Sequence, residues 1–322
     1  MQHWRVTCTF TGMRLKLILV GFFALHLAVS AQEVIRTSGP SDDPVEHTLS
    51  VRVDRVNVVF TVAGKDGRLI TNLNKDDFQV FEDGESQTIS NFSKEANLPL
   101  SIGLLVDTSG SIWGKLRFER EAASNFFYSI LRPGKDTAFV MTFDSRVALA
   151  QDYTDNPAVL QHAVDHLIAG GSTSLFDAIA AAAGHMLSGQ AGRKVLIVLS
   201  DGLDNSSHIG LAKALESAQK NDVVVYTIST NRIDGLMLQD PAIGDRNLRQ
   251  LALETGGHAL FPRTIGDLSH SFYKIGQDLR AQYSLAYGPT NARRDGTYRT
   301  IHIVPMHHNF SVRCRHGYFA PR

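Results

Sequence analysis

Two segments constrain this chain more than any others. LPLSIGLLVD (98–107) and KVLIVLSDG (194–202) carry apolar or small residues on both alternating faces. A strand that is apolar on both sides must be covered on both sides. That is the situation of a strand inside a parallel sheet with helices packed above and below it. The sequence between and after them supplies the covers. Residues 115–131 place Leu116, Ala123, Phe126 or Phe127 and Ile130 on one helical stripe, and 156–168, 174–188, 209–221 and 246–255 also read as helices. Ile265, Leu268, Phe272, Ile275 and Leu279 recur at helical spacing behind Thr264 and Asp267, a capping-box pair. VVVYTIST (223–230) is a third strand buried on both faces, and GHALFP (257–262) a short one. TAFVMTFDS (137–145) and RVALAQDY (146–153) read as two strands joined by a tight turn, the second being the single antiparallel member. Residues 98–281 are therefore expected to form an α/β domain: a doubly wound, mostly parallel sheet flanked by helices.

The flanks follow a different grammar. VRVDRVNVVFTVAG, from Val51, is rich in β-branched residues and alternates over its first half; short strands with a turn at Asp83–Gly84 follow, with no helical period up to about residue 95. After Arg280 come QYSLAYGPT, TYRTIHIVP and FSVRCRHGYFA. Each flank offers about three strands, too few for a core of its own. Residues 51–96 and 282–320 are expected to pair into one small β-sandwich, with the α/β domain inserted between them.

The N-terminus reads as processing signal rather than fold. Arg5, Arg14 and Lys16 precede the apolar run Leu17 to Val29, and Val29 and Ala31 stand at the −3 and −1 positions of a cleavage site. This is the pattern of a secretory signal peptide, residues 1–31, and it implies a secreted or periplasmic protein with no membrane span in the mature chain. An uncleaved N-terminal anchor is the alternative, and Met13 offers a second start. Residues 32–50, polar with two prolines, read as a flexible lead-in. The whole chain is formally neutral, and losing 1–31, with three basic residues and no acidic ones, leaves −3. No basic stretch is interleaved with aromatics, which disfavours nucleic acid as a partner. Cys8 would leave with the signal, so Cys314 would stand alone, without an intramolecular disulfide.

In an open parallel sheet, ligands bind beyond the carboxyl ends of the strands, where the strand order reverses. Three segments bring oxygen side chains to that edge. Asp107, Ser109 and Ser111 follow the first buried strand in D-x-S-x-S spacing, which lets alternate side chains point to one centre. Thr173 lies in the Gly-rich AGGSTSLFDAI, and Asp201 ends KVLIVLSD. Carboxylates and hydroxyls are hard donors that suit Mg²⁺ or Mn²⁺, or less tightly Ca²⁺. Two aspartates leave a divalent ion under-neutralised, so its open position favours an anionic oxygen from a partner protein presenting Asp or Glu.

DTSGS (107–111), GGSTS around Thr173 and LSDG (199–202) resemble the metal-ion-dependent adhesion site of the von Willebrand factor type A domain, and the element order over 98–281 resembles that domain too. The resemblance implies that Asp107, Ser109, Ser111 and Thr173 contact the metal directly or through water and that Asp201 acts through water. It implies adhesion or protein–protein interaction as the function. VNVVFTV, DDFQVFEDG, RDGTYRTIHI and RHGYFAP further resemble the flanks of a bacterial, mainly acidobacterial, group of VWFA-related proteins, which brings no assigned ligand.

Other residues carry two readings each. Asp177, Asp204 and Asn205 either orient the metal site's waters and hydroxyls or serve as helix cap and turn formers. Trp113 either touches the ligand or packs on the first helix. The connection 231–245, with Leu236 and Met237, is a long loop at the metal edge. His302, His307, His308 and His316 read as a solvated β-turn region rather than a zinc site, and Cys314 as a small core residue. Three functions compete: the metal-dependent binding module; a structural envelope component whose metal site only stabilises the fold; and a metal-dependent hydrolase using Asp107. Against the hydrolase stand Ser109 where a second acid is wanted, the lack of G-x-S-x-G, and the lack of a histidine in the three metal loops.

Overall fold

The computed structural model describes residues 55–94, 97–110, 116–233, 241–307 and 309–322. Its central sheet has six strands: β5 (Leu100–Asp107), β6 (Thr137–Phe143), β7 (Val147–Thr154), β8 (Arg193–Ser200), β9 (Val223–Ser229) and β10 (Ala259–Leu260), in the order β10-β9-β8-β5-β6-β7. All pairings are parallel except that of β7 with β6. β5 has later strands on both sides, so the strand order reverses at its carboxyl end.

The strands apolar on both faces are covered as their sequence requires. On one face Leu100, Ile102, Leu104 and Val106 of β5 pack with α1 (Leu116–Ile130), α2 (Pro157–Asp165) and α6 (Ile265–Arg280). On the other, Leu105 joins Phe139, Leu196 and Val198 under α3 (Leu175–Ala181), α4 (Leu211–Lys220) and α5 (Pro241–Thr255). Gly103 is small for a packing reason: a Cβ there would stand 2.4 Å from Phe139 Cζ and 2.8 Å from Leu196 Cδ1. Helix α6 begins with the expected reciprocal cap, Asp267 N donating to Thr264 Oγ1 and Thr264 N to Asp267 Oδ2, both at 3.1 Å.

The flanks form two further antiparallel sheets. β1 (Val56–Gly64), β4 (Ile89–Lys94), β11 (Tyr283–Tyr287) and β13 (Phe310–Cys314) run in the order β13-β1-β11-β4. β2 (Phe78–Glu82), β3 (Glu85–Gln87), β12 (Tyr298–Pro305) and β14 (Gly317–Phe319) run in the order β14-β12-β2-β3. Both sheets draw strands from both flanks, and one core joins them: Val58, Phe60 and Tyr283 from the first, Phe78, Val80 and Ile303 from the second. The fold class expected from sequence is therefore the one observed.

Several boundaries differ from the sequence reading. FSVRCRHGYFA is two strands, because the chain leaves the first sheet at Cys314 and enters the second at Gly317. Gly317 allows this crossing: a Cβ there would stand 2.2 Å from Arg299 O. Helix α5 begins at Pro241 and not at 246, shortening the 231–245 loop; proline suits a first helical position, where its missing N–H is not needed. α3 passes into a π-type turn at Ala182–Met186. The expected signal peptide, the whole lead-in, Leu236, Met237 and His308 lie outside the described residues.

Candidate metal centre

Asp107 and Asp201 sit at the carboxyl edge of the central sheet because buried strands end at or just before them, and Thr173 lies in the connection that leads into α3. Asp107 is the last residue of β5, with its side chain fully buried. Its Oδ1 accepts from Ser109 N at 2.9 Å, which folds the D-x-S turn back on the carboxylate. Its Oδ2 accepts from Ser200 Oγ at 2.6 Å across the neighbouring strand. Ser200 Oγ in turn accepts from Gly202 N at 3.0 Å, so a single hydroxyl holds both the Asp107 carboxylate and the turn that carries Asp201. Asp201 Oδ1 accepts from Leu203 N at 2.9 Å.

The Thr173 loop is fastened to both other loops by backbone bonds. Gly110 N donates to Gly171 O at 3.1 Å and Gly170 N to Thr108 O at 2.7 Å. On the other side, Asn205 N and Ser206 N donate to Thr173 O at 3.1 and 3.0 Å, and Thr173 N donates to Asn205 Oδ1 at 2.8 Å. Ser109 and Thr173 are buried, and Asp201 lies at the edge of burial. Ser111 and Trp113 lie outside the described residues.

Electrostatics marks the same point. Burial pushes the Asp107 carboxyl up to about 6, against hydrogen bonds from Ser200 and Ser109, and the nearby Asp201 carboxylate adds to the rise. Two carboxylates that repel one another in a water-poor pocket, beside serine and threonine hydroxyls, fit a hard divalent cation. Among the described residues no three His, Cys, Asp or Glu side chains gather as a metal cluster.

Residues read in two ways from sequence take specific positions. Asp204 caps α3: its Oδ2 accepts from Phe176 N at 2.9 Å and from Ser207 Oγ. Asp177 accepts from His208 N and Ile209 N and lies 2.7 Å from His208 Nδ1, tying α3 to the 203–209 segment. Hydrogen bonds from His208 and Ile209 and the His208 charge hold its carboxyl below the usual range despite an opposing burial effect that is the largest of these influences. His208 also qualifies an argument made from sequence, since it lies in the same connection as Asp201; its side chain is 92% exposed. His307 meets Asp77 at 3.3 Å and His316 meets Glu254 at 3.6 Å. Cys314 packs against the sandwich core, and burial pushes its thiol up to about 11.

Ser200 was not among the sequence candidates, nor was the layer behind Asp201. Asn231 Nδ2 donates to Asp201 O at 2.8 Å and to Asp245 Oδ1 at 2.9 Å, and Ser229 Oγ donates to the same Asp245 oxygen. Asn247 Nδ2 donates to Gly202 O at 3.0 Å. Ser200 adjoins Asp201 in LSDG and could have been found there, as the strand residue whose side chain turns the other way. The Asn231–Asp245 contact has no sequence signal.

A family model for the von Willebrand factor type A domain matches residues 101–274, more than half of the chain. No curated protein sequence matches it. Among solved structures, proximal thread matrix protein 1 from the mussel byssus is 18% identical with a TM-score of 0.50, over 62% of this chain and 51% of that one. A von Willebrand factor type A protein from Catenulispora acidiphila is 13% identical with a TM-score of 0.47, over 84% of this chain and 75% of its own. The vWF domain of the type V pili tip protein Mfa5 from Porphyromonas gingivalis is 14% identical with a TM-score of 0.47, over 56% of this chain and 94% of its own. The chain thus spans about half the length of the mussel protein. At these identities the likeness to the mussel protein is one of fold.

Proposed function

Because the chain belongs to the von Willebrand factor type A domain family, we propose that it is a protein-binding or adhesion module that grips an acidic side chain of its partner through a divalent ion. Domains of this family often serve protein interaction. Asp107, Ser109, Ser111, Thr173 and Asp201 would hold the ion, with Mg²⁺ the expected metal and Mn²⁺ or Ca²⁺ alternatives. The ion would supply a Lewis-acidic position that a partner carboxylate completes. The chain's own residues do the rest. Ser200 and Ser109 N orient the Asp107 carboxylate, Asn205 fixes the Thr173 backbone, and Asn231 holds the Asp201 carbonyl from behind.

The observation that supports this reading is the fastening of three sequence-distant segments, around Thr108–Gly110, Gly170–Thr173 and Ser200–Ser206, to one another by hydrogen bonds, with the buried Asp107 carboxylate held among them. The sequence of residues 1–31 supports a secreted or periplasmic location, and among the described residues no helix is long and apolar enough to cross a membrane. Residues 98–281 would form the binding domain, with 51–96 and 282–320 as its β-sandwich support. The test is capture of a partner from envelope extract in Mg²⁺ and in EDTA, with the Asp107→Ala variant alongside. Metal-dependent capture lost in the folded variant supports adhesion. Capture indifferent to both EDTA and the substitution removes the metal from the mechanism, and a metal that alters only the melting temperature leaves a stabilising role.

A further inference from the structure

Helix α2 ends on a pair of histidines that the oxygen-lined centre does not use. His162 lies in its last turn and His166 is its C-cap residue, so the two fall four positions apart on one face of the helix. Both are exposed. Their ring centroids stand 4.3 Å apart, with 33° between the planes. The chain then runs to the carboxyl edge of the central sheet, where Gly170 N donates to Thr108 O at 2.7 Å. The pair therefore sits at the end of α2 that faces that edge.

One hydrogen bond fixes the chemistry of the pair. His166 Nδ1 lies 2.7 Å from His162 O. A carbonyl oxygen only accepts, so Nδ1 carries the proton and the neutral ring keeps its lone pair on Nε2. Metal-bound imidazoles are commonly held this way, one nitrogen donating to a carbonyl or carboxylate while the other ligates. Capping of the helix end accounts for His166 and leaves His162 without a role. Two imidazoles that bind one ion through nitrogens at about 2.0–2.1 Å, on adjacent coordination positions, bring their centroids to roughly 4.5 Å. The observed separation is close to that. The carboxyl end of α2 carries partial negative charge, and Asp165 between the two histidines is exposed; both favour a cation.

From this we infer that His162 and His166 chelate a borderline divalent transition-metal ion, Zn²⁺ or Cu²⁺, at a site separate from the oxygen-lined centre at Asp107. Imidazole nitrogens suit these ions, whereas Mg²⁺ and Ca²⁺ take oxygen donors. Histidines at i and i+4 on one helix face have the spacing by which a helix supplies two ligands to zinc. Among the described residues no third His, Cys, Asp or Glu joins them into a larger cluster. The remaining coordination positions go to water, so the affinity rests on the two rings.

The experiment is isothermal titration of the purified full chain, carrying no histidine tag, with ZnCl2 in excess MgCl2. It is repeated with His162→Ala, His166→Gln, His307→Ala and Asp107→Ala. The three histidines are exposed, so their variants are expected to keep the wild-type melting temperature in EDTA. Losing even an orienting partner of a metal ligand costs about 10–100-fold in affinity, so Zn²⁺ binding should weaken at least tenfold in His162→Ala and in His166→Gln. It should be unchanged in His307→Ala and persist in Asp107→Ala. With one equivalent of Cu²⁺, electron paramagnetic resonance should show splitting from two nitrogens, reduced to one in His162→Ala. Zn²⁺ binding that is absent, or indifferent to His162→Ala and His166→Gln, overturns the site. So does binding lost in His307→Ala or in Asp107→Ala, or a Cu²⁺ spectrum whose nitrogen count His162→Ala leaves unaltered.

Discussion

Replacing Ser200 by alanine isolates the device that holds Asp107. Ser200 Oγ is fully buried, donates to Asp107 Oδ2 at 2.6 Å and accepts from Gly202 N at 3.0 Å. A hydrogen bond to a charged group contributes about 1.5–3 kcal/mol and a neutral one about 0.5–1.5 kcal/mol, and loss of both leaves buried partners unsatisfied. Ser200→Ala should therefore destabilise the metal-free protein by about 2–4 kcal/mol, lowering Tm by roughly 5–15 °C for a domain of this size. Because the same hydroxyl orients a proposed ligand, Mg²⁺ affinity should also fall about 10–100-fold, the usual effect of losing an orienting partner. Differential scanning calorimetry in EDTA reads the first quantity and isothermal titration with MgCl2 at pH 7.5 the second. Ser200→Thr keeps the hydroxyl and should recover most of the Mg²⁺ affinity. A Ser200→Ala protein that melts and binds Mg²⁺ as the unaltered one does would refute the role given to this residue.

Three further outcomes follow from named contacts. Asn205→Ala removes the acceptor for Thr173 N, so Mg²⁺ affinity measured by titration should drop several-fold while Tm in EDTA changes by less than about 1.5 kcal/mol equivalent. Gly103→Ala forces a Cβ against Phe139 and Leu196 and should cost about 1–3 kcal/mol in urea unfolding. For Asp136, burial is the largest influence and raises its pKa, but hydrogen bonds from Arg132, Leu100 N and Arg280 together outweigh it and hold the carboxyl down at about 2. The folded-state pKa is thus below the unfolded value near 4, so this contribution to stability is complete above about pH 4 and is lost as pH falls towards 2. Asp136→Asn should flatten that limb of the stability curve, and an unchanged limb would remove Asp136 from it.

Where the sequence was informative, local chemistry and burial spoke together. LPLSIGLLVD and KVLIVLSDG declare buried parallel strands because no polar face interrupts them, and the antiparallel β7 shows itself by the tight turn before it. The Thr264–Asp267 cap was readable because both partners lie within one helical turn. The flank pairing could be argued only by elimination, since β1 finds β11 and β13 more than 200 residues away. What stayed hidden was set by distant contacts. Ser200 matters because β8 happens to lie beside β5, and Asn231 because Asp245 faces it across a separate element. The split of the last strand between two sheets at Arg315–His316 likewise depends on packing, since Arg315 is held by Asp222 and Asn57 from two other parts of the chain.

The central claim is that one divalent ion is shared by oxygens from the loops after β5, before α3 and after β8. Anomalous diffraction from crystals soaked in MnCl2 addresses it directly. The account expects a single strong peak about 2 Å from side-chain oxygens of the 107–111 turn, with Thr173 and Asp201 beside it, and no such peak in Asp107→Ala crystals. A peak elsewhere, or none at saturating Mn²⁺, would contradict it.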